Sequence, residues 1–188
     1  MLGFVVVSGL PASGKSSLAN ALGAKLGWQV LDKDKFLVDL FCSRGVGNDA
    51  WRTVLSREAD ALFQRAVESS RTAVACSWWR HPKSAEASGT PIDWLATLPA
   101  PIVEVHCECS PAVAKARFFN RTRHPGHLDS HRSESSLLAS LEERQHDGPL
   151  FGHAAIVVNT ERSVNLEDVA SRVRARLLAS QGKRQRGD

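Results

Sequence analysis

No apolar run in this 188-residue chain approaches the ~20 residues that a membrane-spanning helix needs, which excludes an integral helical membrane protein. The opening MLGFVVV carries no basic leader, so a cleaved signal peptide is not expected. Cysteine is scarce, and Cys42, Cys76, Cys107 and Cys109 have no spacing that suggests a disulfide framework. A reduced, cytoplasmic setting follows as the expectation. His106, Cys107 and Cys109 lack the C-x-x-C spacing of a zinc site and sit on or just after an apolar strand, so they read as buried thiols. There is no internal repeat and no low-complexity stretch beyond the last seven residues.

What remains is the composition of one ordinary globular domain, 43% apolar and 23% charged. We expect a single domain over residues 1–180 and a flexible basic tail over 181–188. The net charge of +4 is unevenly spread: between residues 111 and 132, Lys115, Arg117, Arg121, Arg123 and Arg132 face the single acid Asp129. A local cluster of this kind suits a phosphate-bearing ligand better than a nucleic acid.

The segments GFVVVS (3–8), QVL (29–31), TAVACS (72–77), IVEVHC (102–107) and AAIVVN (154–159) read as five buried strands. Between them lie helical stripes. Leu18, Leu22 and Leu26 mark one, with Gly27 as its stop. Trp51, Val54, Leu55, Leu62, Phe63 and Ala66 mark another over 49–67. Ser110-Pro111 and Ser133 start two more, separated by the polar TRHPGHLDSH, and the last helix begins near Asn165. The alternation predicts an α/β fold: a mostly parallel five-stranded sheet covered by helices on both faces. Ligands bind such sheets at the carboxyl ends of the strands, where the loops 9–16, 32–36, 77–81 and 108–111 open.

The first of these loops carries the strongest signal. Gly9-x-x-x-x-Gly14-Lys15-Ser16 follows a strand and opens a helix, as a phosphate-binding loop must. Its glycines let the backbone approach phosphate oxygens, and its N–H groups form an anion nest at a helix N-terminus. The nucleotide-binding set is therefore Gly9, Leu10, Pro11, Ala12, Ser13, Gly14, Lys15, Ser16 and Ser17. Lys15 suits the β- and γ-phosphates, and the Ser16 hydroxyl suits Mg²⁺. The N/T-K-x-D that reads guanine in GTPases is absent. In DKDKF (32–36), two carboxylates at i and i+2 near a strand end can divide two tasks: supporting a metal and taking a proton from a hydroxyl.

From GLPASGKSSLANALGAKLGWQVLDKDKF and the arginine-rich RFFNRTRHPGHLD, the chain resembles the P-loop small-molecule kinases. These include shikimate and gluconate kinases, chloramphenicol phosphotransferase, zeta-toxin kinases and polynucleotide 5′-kinase domains. The resemblance implies an ATP- and Mg²⁺-dependent phosphotransferase with an alcohol acceptor. It implies Asp34 as substrate base, Asp32 and Ser16 on the metal, and Lys15, Arg117 and Arg121 on the phosphates. It also implies an acceptor-side cap near 36–70, a lid near 117–132, adenine contact at Asn159-Thr160, and substrate contacts at Arg52, Trp79 and Arg80. Aromatics beside an arginine suit a flat or sugar-like acceptor carrying negative charge. One departure stands out: ACSWWRHP, which closes the third strand, has no acid, so metal support shifts to Ser16 and Asp32, with Ser77 placed to hold a metal-bound water. A nucleotide or polynucleotide kinase is an alternative, although 36–70 balances its bases with acids. A regulatory ATP-binding module without transfer chemistry is another.

Overall fold

The computed structural model describes residues 2–84 and 88–184. Five parallel strands form one sheet in the order β2-β3-β1-β4-β5: β1 (Gly3–Gly9), β2 (Val30–Asp32), β3 (Thr72–Cys76), β4 (Ile102–Glu108) and β5 (Ile156–Asn159). β1 is central, pairing with β3 on one side and β4 on the other. Phe4, Val5, Val6 and Val7 are all fully buried, because a central parallel strand is covered on both faces and reads as an unbroken apolar run.

The side chains of β1 alternate between two cores. Val5 and Val7 pack with Leu18 and Leu22 of α1 (Lys15–Leu26) and with Val169, Val173 and Leu177 of α6 (Leu166–Arg184). Phe4 and Val6 pack with Phe63 and Val67 of α3 (Asp49–Glu68) and with Trp79 and Trp94. Smaller clusters join α2 (Lys33–Arg44) to α3, and α4 (Pro111–Asn120) to α5 (Glu134–Gln145). No helix among the described residues is long and apolar enough to cross a membrane.

The sheet, the helices on both faces and the capping signals agree with the sequence-based expectation. Gly27 ends α1 in a left-handed conformation, φ 70°, while Ser110 and Ser133 accept backbone N–H bonds as caps. Four details differ. Residues 32–36 are not a loop: Asp32 caps α2 by accepting from Asp34 N at 3.0 Å, so the chain turns helical at Lys33. The last strand is shorter than expected, since Gly152–Ala154 forms a 3₁₀ turn before β5. Trp51 and Val54 of α3 face outward, 36% and 54% exposed, leaving Leu55, Ala59 and Phe63 as its inner face. Finally, α6 runs on to Arg184, into the stretch expected to be a tail, and residues 185–188 lie outside the described ones.

Candidate active site

The phosphate loop bridges β1 and α1. A side chain on Gly9 (φ +129°) would place its Cβ 2.3 Å from the Cys107 carbonyl oxygen, so only glycine lets the loop leave the sheet there. Ala12 (φ 60°) and Gly14 (φ 92°) are also left-handed, and these reversals turn successive backbone N–H groups toward one concavity. Lys15 Nζ donates to Leu10 O at 2.6 Å, which holds the ammonium across the loop's mouth. The far wall is clasped from β5: Thr160 Oγ1 donates to Ser13 O at 2.7 Å, and Arg117 Nη2 donates to Thr160 O at 2.7 Å.

Beside the loop, Ser16 Oγ donates to Asp32 Oδ2 at 2.6 Å. This hydroxyl–carboxylate pair is a hard-oxygen donor set that fits Mg²⁺. Among the described residues no group of three or more His, Cys, Asp or Glu could hold a metal alone. An ion here must therefore take its remaining ligands from water and phosphate, as Mg²⁺ at nucleotides does. Cys76 and Cys107 lie beneath, both buried, with their thiols pushed up by desolvation, Cys107 to about 12.

In the first turn of α2, Asp34 is half-exposed and ion-paired with Arg123. Partial desolvation would raise its pKa, but Arg123, then His127, Lys33 and Lys15 outweigh this and hold it below the usual carboxylate range. Arg123 also contacts Asp129 at 3.3 Å, and Arg121 contacts Asp129 at 3.4 Å. The segment expected to form a lid reverses sharply at Leu128 (φ 55°), which brings Asp129 back to both arginines. It is seated on α2. The Phe41 ring stacks on His124 (5.4 Å, 11°) and meets His127 edge-on (5.5 Å, 88°), with Gly126 against it. His127 is buried, and burial followed by Arg123 pushes its pKa down to about 4.

Two arginines that line the same cleft, Arg52 of α3 and Arg132 of the lid, have no ion-pair partner among the described residues, and the Arg52 Nε is buried without a hydrogen-bond partner. Burial, then Arg132 and Arg123, push the Arg52 guanidinium below its ordinary value. The site therefore has an excess of positive charge.

These parts share one cleft of about 900 Å³. Of the expected residues it brings together Pro11, Ala12, Gly14, Lys15, Ser16, Ser17, Asp32, Asp34, Arg52, Arg117 and Arg121. Gly9, Leu10 and Ser13 belong to the same loop but are not part of the cleft's lining. Three expected contacts are not brought in. Trp79 is core, donating from Nε1 to Val7 O at 2.9 Å and packed on Phe63 and Trp94. Its neighbour Trp78 lines the cleft in its place. Arg80 lies outside the lining, with its backbone N–H bonded to Thr90 O. Asn159 turns to accept from Glu161 N at 2.9 Å, and Thr160 lines the wall instead. Of the expected pair Asn159-Thr160 it is thus Thr160 that lines the cleft, while Asp129 and Arg132, read in the sequence only as members of the charged cluster, also form its wall.

A family model described as an AAA domain matches residues 4–146. No curated protein matches the chain. Among solved structures, a Chloroflexus aurantiacus protein provisionally described as a kinase has TM-score 0.74 and 25% identity, over 93% of this chain and 97% of its own. A Sinorhizobium meliloti gluconokinase has TM-score 0.56 and 20% identity, over 97% of each chain. A Bacteroides thetaiotaomicron shikimate kinase has TM-score 0.57 and 18% identity, over 94% and 99%. The fold is thus that of the P-loop small-molecule kinases which the loop and lid motifs resemble.

Proposed function

The chain belongs to the AAA-domain family, and from that premise we propose that it is an ATP-dependent phosphotransferase acting on a hydroxyl of a small, negatively charged molecule. One observation carries this reading: the phosphate loop and Asp34 open on the same cleft, with unpaired Arg52 and Arg132 on its acceptor side. The loop N–H groups and Lys15 would bind the β- and γ-phosphates. Ser16 and Asp32 would hold Mg²⁺, whose contribution when bound is to neutralise charge on the phosphates. Asp34 would orient the acceptor hydroxyl and take its proton. Arg117 and Arg121 would meet charge on the moving phosphoryl group, and the lid seated on Phe41 would keep water out. A carboxylate or phosphate on the acceptor would satisfy Arg52 and Arg132.

The test is ATP turnover against a panel of hydroxylated acids, sugar phosphates, neutral sugars, nucleosides and 5′-hydroxyl oligonucleotides. Transfer to an anionic small molecule that disappears in Lys15→Ala, with the fold retained, is the expected result. Transfer only to nucleosides or oligonucleotides would favour a nucleotide or polynucleotide kinase. ATP binding with no transfer to any acceptor would favour a regulatory module.

A further inference from the structure

The third strand ends without the acid that would support a metal, yet a buried carboxylate reaches that point from another element. Asp60 of α3 is 8% exposed and pairs with Lys33 at 3.5 Å and Arg57 at 3.4 Å, so it is a charged group that only accepts. Thr90 Oγ1 donates its one proton to Asp60 Oδ1 at 2.7 Å. Ser77 Oγ lies 2.6 Å from Thr90 Oγ1. Since the Thr90 proton is already committed, the proton of that contact must come from Ser77. The chain of bonds is directed: Ser77 to Thr90 to Asp60.

The segment carrying Thr90 is fixed by the backbone. Thr90 N donates to Trp78 O at 2.8 Å, and Arg80 N donates to Thr90 O at 2.8 Å. Gly89 permits this close approach, because its φ is +89° and a Cβ there would lie 2.9 Å from Arg80 N. Ser77, the residue after β3, lines the cleft together with Lys15, Ser16 and Asp32. Cys76, just before it, is in register with Asp32 and has its Sγ 3.9 Å from Ser16 Oγ.

We propose that Ser77 is a positioning residue of the metal site: its Oγ, stripped of donor capacity by Thr90 and Asp60, accepts a hydrogen bond from a water of the nucleotide-bound cation. In this way a charge buried on α3 does at one remove what an acid at the end of β3 would do directly. This rests on the nucleotide and metal reading above. The chemistry needed is an O–H donor, and both a metal-bound water and the acceptor's hydroxyl supply one, so the experiment separates them.

Mn²⁺ affinity is measured by electron paramagnetic resonance with ADP bound, in the parent, Ser77→Ala and Thr90→Val, after melting curves confirm that each is folded. Thr90→Val leaves the Ser77 oxygen in place but frees its proton to turn toward the cleft. Both variants are expected to weaken Mn²⁺ by roughly 10-fold, the usual scale for a group one shell from a metal. ADP affinity without metal should not change, and Ser77→Asp should restore Mn²⁺ binding. Weakening in Ser77→Ala but not in Thr90→Val would overturn the directed relay. Unchanged Mn²⁺ affinity with a raised acceptor KM would assign the oxygen to the acceptor hydroxyl and overturn the metal role. No change in either would leave the three residues a fold anchor and overturn the inference. If the parent itself binds no Mn²⁺ with ADP, the metal reading fails and the inference falls with it.

Discussion

Asp34→Asn preserves the shape of the residue and its place in the first turn of α2, but removes the proposed base. Phosphoryl transfer should fall by roughly 10²–10⁴-fold, the usual worth of general base catalysis, while ATP affinity stays close to that of the parent. Asp32→Asn should instead raise the Mg²⁺ requirement, and a Mg²⁺ titration of both variants distinguishes the two roles. His127 sets a pH dependence of a different kind. Its folded pKa of about 4 lies below its ordinary value of 6.5, so between those values the unfolded chain holds a proton that the folded chain refuses. Stability should therefore fall as pH drops through that window, by up to about 1.4 kcal/mol per pH unit for this one group. Asp34, also held low, adds its loss below about pH 4, the ordinary carboxylate range. Denaturant midpoints from pH 8 down to about pH 3 check this, and His127→Gln should flatten the upper part of the fall. At this scale the sequence was readable where function is written in consecutive residues, as in Gly14-Lys15-Ser16 and Asp32-x-Asp34. It was not readable at Trp78 and Trp79, because which of two adjacent side chains faces the cleft depends on how β3 ends.

Among the elements, the lid has one adjustable seat. Gly126 rests on Phe41, and a Cβ there would come within 2.5 Å of the ring of a residue only 2% exposed. Gly126→Val should hold the lid off α2 and admit water, so ADP formed without acceptor should rise relative to phosphorylated product. The ratio of the two products in one assay is the measurement, and an unchanged ratio would mean that the seat does not govern water exclusion. The same contact explains why α2 was harder to see than its neighbours. Its N-terminal Lys-Asp-Lys reads as a polar turn, and the buried positions Leu37, Leu40 and Phe41 only become meaningful once α3 and the lid pack against them. By contrast α1, α4 and α5 carry their boundaries locally, in Gly27, Ser110-Pro111 and Ser133.

For the whole molecule, the sheet was legible because its apolar runs alternate with helical stripes, a pattern that only a parallel sheet covered on both faces satisfies. The polar relay Asp60–Thr90–Ser77 was not, since its members are 30 and 13 residues apart and meet only when α3 packs on β3. Long-range pairing also has a kinetic consequence. Arg123 binds Asp34 and Asp129 at once, spanning from lid to α2 across the acceptor side of the cleft. On the function proposed above, the base is then engaged and the acceptor's berth is crossed. A nucleotide's terminal phosphate is the stronger partner for this guanidinium and would draw it away. Turnover should then follow a compulsory order, nucleotide first and acceptor second. Product-inhibition patterns should show ADP competitive with ATP and the phosphorylated product noncompetitive with it, and Arg123→Ala should relax that order toward random entry.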